Sequence, residues 1–119
     1  MKSILKRNSV WVFGVIVGLA SISSASFAID EEAAKGLARQ NKCLSCHSID
    51  KDNDGPAYKK VAEKYKGKPN AEARLIEHIT TGEKAKFPDG HEEAHKIVKT
   101  SPAKDMAQIK NLVQWILAQ

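Results

Sequence analysis

Cys43-Leu44-Ser45-Cys46-His47 contains both cysteines of the 119-residue chain, and the use made of those two thiols decides the fold. Three uses fit poorly. A disulfide between residues only three apart would close a tiny loop and constrain the unfolded chain little. A thioredoxin-like redox pair belongs after a strand in a βαβ setting, whereas the flanking sequence is helical in pattern. A zinc site would need a second ligand pair, for which His91-Glu92-Glu93-Ala94-His95 could serve, since it matches the H-E-x-x-H pattern of zinc proteases.

The fourth use suits the whole motif. C-x-x-C-H is the attachment signature of c-type haem. Two thiols at this spacing can each add to one vinyl group of a porphyrin, and the adjacent histidine is then delivered to one face of the iron. Cys43 and Cys46 are therefore the expected covalent anchors of one haem c, and His47 its proximal ligand.

The beginning of the chain reads as an export signal. Lys2, Lys6 and Arg7 precede the apolar run Val10 to Ala20, and Ser26-Phe27-Ala28 offers small residues for cleavage after Ala28. The run is shorter than the roughly 20 apolar residues a membrane span needs. Residues 1–28 are thus expected to be a signal peptide, and 29–119 a mature domain with no membrane span. Loss of the three leader cations reduces 19 basic residues to 16 against 14 acidic ones, so the net charge falls from +5 to +2. Nucleic-acid binding loses its support with them, because phosphate neutralisation needs a concentrated basic surface. The cluster Lys59, Lys60, Lys64, Lys66, Lys68 reads as a solvated face that could steer an acidic partner.

A domain of this size is marginal on a side-chain core alone. Its aromatic residues are only Phe87, Trp115, Tyr58 and Tyr65, so a bound group filling the interior is consistent. Apolar spacing predicts an all-α fold of four helices and no strand. The first covers EEAAKGLARQNK, with Ala33, Ala34, Leu37 and Ala38 on one face. The second lies near residues 57–65, with Tyr58, Val61, Ala62 and Tyr65 in register. Asn70 caps the third, AEARLIEHITT, and Gly82 ends it. Asp105 and Gln108 open the last as a capping-box-like pair before Ile109, Leu112, Val113, Ile116 and Leu117. Loops at roughly 47–56 and 83–100 are long enough to carry function.

The mature chain resembles the small class I bacterial cytochromes c, all-α periplasmic electron carriers. The resemblance rests on Cys43-Leu44-Ser45-Cys46-His47 after a short helix, on Gly55-Pro56-Ala57-Tyr58-Lys59, and on Val113-Gln114-Trp115-Ile116-Leu117. It implies that the Pro56 carbonyl accepts the free N–H of His47, an outer bond that orients a ligand ring. It also makes Tyr58 and Trp115 haem-pocket residues, and places Gly36 where the first and last helices cross near Trp115.

In most such cytochromes the second axial ligand is a methionine from the second loop. Here the only methionine after Met1 is Met106, which falls on the apolar stripe of the last helix and suits core packing. His78 lies inside the third helix. The run Glu92-Glu93-Ala94-His95, followed by Lys99-Thr100, resembles a subgroup lacking the methionine, which implies His/His ligation with His95 as sixth ligand. Met106 and then His91 are the alternatives.

The expected function is one-electron transfer in the periplasm, without catalysis by the chain itself, between redox partner proteins. A haem-binding subunit or sensor with an openable sixth position is the alternative, and a zinc metalloprotease built on HEEAH ranks last. One further pattern, Asp50-Lys51-Asp52-Asn53-Asp54-Gly55, copies the first half of a calcium loop, yet the twelfth position is Val61 rather than glutamate, so it reads as a polar surface loop.

Overall fold

The computed structural model describes residues 28–119, so the leader reading falls, except for Ala28, outside the described residues. Helix α1 spans Glu31–Gln40, α2 Tyr58–Tyr65, α3 Ala71–Thr80 and α4 Met106–Leu117. A short 3₁₀ turn, Cys43–Ser45, follows α1 and carries the thiols. The expected four-helix fold is present. None of the described helices is long and apolar enough to cross a membrane.

Helix α4 is the hub, packing against α1, α2 and α3. Its stripe explains why: Ile109, Leu112, Val113 and Ile116 are all buried, with Val113 wholly so, as a helix facing several neighbours requires. The Asp105 carboxylate accepts from the Ala107 and Gln108 amides at 3.0 and 3.2 Å. The Gln108 side chain returns to that carboxylate instead of to the Asp105 amide, which Thr100 Oγ1 accepts at 2.8 Å. Asn111 pins the start of α1 by two bonds, accepting from the Asp30 amide at 2.9 Å and donating to the Asp30 carbonyl at 2.8 Å.

Several expectations need correction. On α1 it is Ala34, Leu37 and Ala38 that are buried; Ala33 is exposed, and a Cβ on Gly36 would meet no other atom. The helix turns its alanines toward the crossing, so Gly36 is not the point of close approach. Asn70 precedes α3 without a side-chain cap bond. Met106 is 45% exposed, because as the first residue of α4 it lies outside the packed turns, and it does not belong to the core.

The second loop contains a two-stranded antiparallel hairpin that the sequence pattern did not suggest, β1 Lys84–Lys86 and β2 Glu92–Ala94, with Ala85 opposite Glu93. No apolar alternation announces it, since β2 has no buried face. The turn does the work: the Gly90 amide donates to the Phe87 carbonyl at 2.9 Å across Pro88-Asp89, and Pro88 supplies the fixed φ favoured at that turn position. Gly90 follows at φ +91.

Candidate haem site

Helices α2, α3 and α4, the 3₁₀ turn after α1 and the hairpin loop surround a cavity of about 750 Å³, within the range of cofactor pockets. Cys43, Cys46 and His47 line it from one side and His95 from the loop after β2. Leu75, Ile79, Leu112, Val113 and Ile116 supply apolar wall. Both cysteines are unpaired thiols. Burial raises the Cys43 thiol above its ordinary pKa, only partly opposed by the Tyr58 hydroxyl.

His47 is held in one tautomer. Its Nδ1–H donates to the Pro56 carbonyl at 2.8 Å, which leaves Nε2 with a free lone pair for a metal. The backbone delivers that carbonyl: the Gly55 amide donates to the Cys46 carbonyl at 2.7 Å, folding residues 53–57 back over the motif. A Cβ on Gly55 would collide with the His47 ring, so only glycine permits this approach. The Asp52 carboxylate accepts the Ala57 amide at 2.9 Å and pairs with Lys60.

Tyr58 stacks on His47 with ring centroids 5.2 Å apart, and Trp115 meets Tyr58 edge-on at 5.7 Å. Burial, then the neighbouring Cys43, raises the Tyr58 hydroxyl far above its ordinary pKa. Trp115 is not among the residues lining the cavity. It stands behind Tyr58 because α4 presents Leu112, Val113 and Ile116 to the cavity, so its role as a direct pocket residue is corrected to that of a support.

The HEEAH histidines part company. The segment is a strand, so the shared helical face that a zinc-protease motif needs is missing. His91 stacks on Phe87 at 4.4 Å and its ring nitrogens pair with Asp89 and Glu93. His95 instead faces His47 across the cavity, with ring centroids 6.2 Å apart. Two imidazoles bound through Nε2 to one metal, with metal–nitrogen bonds of about 2 Å and roughly 1.2 Å from nitrogen to ring centre, would hold their centroids about 6.3 Å apart. The residues present therefore fit a haem iron between them. Met106 does not line the cavity.

Nδ1–H of His95 donates to the Lys96 carbonyl at 2.8 Å, again leaving Nε2 free. Burial, then His78, lowers the His95 pKa below its ordinary value. His78 lies 4.3 Å from His95 between ring centroids. The sequence offered no sign of this contact, because His78 belongs to α3 and the two residues meet only after the loop has folded back. Arg74, Glu83, Ile97 and Val98, which also line the cavity, were equally silent in the sequence.

The calcium-like stretch is the polar surface loop expected, its aspartates spent on lysines: Asp50 pairs with Lys59 and Asp52 with Lys60. Their carboxylates do not converge on a common point for a cation. Among the described residues no group of three or more His, Cys, Asp or Glu side chains is arranged to hold a metal ion.

The family profile described as cytochrome c matches residues 31–119. Cytochrome c-551 of Allochromatium vinosum is 36% identical over 68% of this chain and 80% of that protein. Cytochrome c-551 of Pseudomonas aeruginosa is 33% identical over 82% and 85%. Among solved structures, the class 1 cytochrome MtoD from Sideroxydans lithotrophicus superposes with a TM-score of 0.71 at 63% identity, covering 76% of this chain and 97% of that one. Cytochrome c552 of Nitrosomonas europaea follows with a TM-score of 0.54 at 30% identity, over 70% and 95%. With a match across nearly all the described residues, on a fold that brings both thiols and His47 to one cavity, the chain belongs to the cytochrome c family.

Proposed function

We propose that the electron carried by this cytochrome resides on an iron held between His47 and His95, with Cys43 and Cys46 as the covalent anchors of the macrocycle. Membership of the family makes the chain an electron carrier with covalent haem c and not an enzyme. The bound haem supplies a one-electron iron couple. The chain's own residues orient and shield it. Pro56 and Lys96 carbonyls fix the two imidazole tautomers, and the apolar wall of α3 and α4 keeps water from the centre. The observation that carries the ligand assignment is the 6.2 Å separation of the facing rings.

The reading as a sensor with an openable sixth position has no observation in its favour. Lys42, Lys64, Lys84, Lys86 and Lys96 line the cavity, and none is in an ion pair among those found in the described residues. This basic rim supports an acidic redox partner, approached by electrostatic steering. Periplasmic residence is part of the same proposal, supported by the leader-like residues 1–28.

A pyridine haemochrome assay with metal analysis tests the assignment. One haem per chain, retained in acid acetone and lost when Cys43 and Cys46 are both replaced by alanine, is the expected result. Zinc without iron in the purified protein would overturn it.

A further inference from the structure

We infer that Glu83 is the positioning residue of the sixth-ligand side, holding the backbone and the ring of His95 at once. The inference rests on the proposed ligation by His95. Glu83 follows Gly82, where α3 has ended and the chain turns at φ +70 into β1. From there its carbonyl accepts the His95 amide at 2.9 Å. Its carboxylate works on the same target from another side. One oxygen, Oε1, accepts from Arg74 Nη2 at 2.7 Å and from His78 Nδ1 at 2.5 Å. The His78 ring so anchored lies 4.3 Å from the His95 ring, tilted by 45°.

These contacts divide the freedoms of His95 between them. The amide bond sets the position of its Cα, and the Lys96 carbonyl fixes Nδ1. The Lys96 bond opposes turning of the ring about the line from Nε2 to a metal, but it does so from one edge only. His78 adds a second restraint, because its ring packs against the other and is itself anchored by the bond to Glu83. Arg74 completes the array by orienting the carboxylate. The Val98 amide, donating to the Ile79 carbonyl at 2.8 Å, fastens the loop to α3 just beyond. Glu83 lines the cavity without being a ligand, and it acts on the ring of His95 through His78.

The orientation of an axial imidazole plane sets the splitting of the iron d orbitals, and its restraint sets how readily an outside ligand displaces it. The test uses ferric holo-protein, read by low-temperature electron paramagnetic resonance and by the rate of cyanide binding. Glu83→Ala should alter the spread of g values and speed cyanide entry up to roughly tenfold, the upper end for losing one hydrogen bond. His78→Leu, which leaves Glu83 intact, should do the same and serves if Glu83→Ala folds poorly. Glu83→Gln should retain the wild-type spectrum and rate, because an amide oxygen accepts from both donors although the charge is gone. Glu63→Gln, on α2 and outside these contacts, is the control.

Wild-type spectra and rates in both Glu83→Ala and His78→Leu would overturn the inference. So would Glu83→Gln behaving like Glu83→Ala, since charge and not position would then carry the effect. Failure of the ligand reading looks different: His95→Ala would remain low-spin and as slow toward cyanide as the wild type.

Discussion

The imidazoles of His47 and His95 face each other across one cavity at 6.2 Å between centroids, each with its Nδ1 tied to a backbone carbonyl. Ligation by both predicts a low-spin haem without the weak near-infrared band that marks sulfur bound to ferric haem c. His95→Ala should turn the haem high-spin or admit an outside ligand. Met106→Leu should leave the spectrum unchanged, because Met106 is exposed and away from the cavity. A sulfur band abolished by Met106→Leu would reverse the assignment.

Gly55 lies against the His47 ring so closely that any Cβ must displace it. Gly55→Ala should therefore cost about 1–3 kcal/mol, the range of small-to-large changes in packed sites. It should also weaken the Pro56 bond that orients His47. Thermal midpoint and the Soret position, measured together, check both effects; an unchanged midpoint would show that the loop yields freely.

Calcium should not stabilise the protein. Asp50 and Asp52 are engaged by Lys59 and Lys60, and Asp52 also caps the Ala57 amide. A ligand that binds only the native state raises the thermal midpoint, so titration with calcium should leave it where it was. A saturable rise would return residues 50–61 to the class of cation loops.

Asp52 also predicts how the proximal loop responds to acid. The Ala57 amide, then Lys60, holds its carboxyl below the ordinary value of 3.8. A depressed folded pKa contributes stability above the unfolded pKa and loses it as pH falls through the folded one. The contribution should thus be complete at neutral pH and fade below about pH 4. Asp52→Asn should flatten that part of the acid limb, with wild type and variant converging at the lowest pH. Parallel acid limbs in the two proteins would show that Asp52 does not hold the loop.

Much of the site on the His47 side was legible because its chemistry is local. The thiols and His47 lie within five consecutive residues, and Gly55-Pro56 is close enough in the chain to fold back over them. The helices were legible for a similar reason: a 3.6-residue apolar period marks α4 whatever it packs against. The hairpin was not, since its strands bury no face and leave no alternation to read. Gly36 was misplaced because the rotation of α1 about its axis is set by its neighbours, and Met106 because it opens α4 outside the packed turns.

The sequence by itself determined the haem-attachment motif with its adjacent histidine, the helical class and the absence of a usual methionine in the second loop. Only the tertiary structure decided which remaining histidine meets His47 and what holds it there. His78, His91 and His95 are equivalent as residue types, and the H-E-x-x-H spacing treats His91 and His95 alike. The Phe87 turn directs His91 outward to Asp89, while bonds from His95 to Glu83 and from Val98 to Ile79 bring His95 inward beside His78. Those contacts join α3 to a loop that begins beyond its end, and such pairings exist only once the chain has closed on itself.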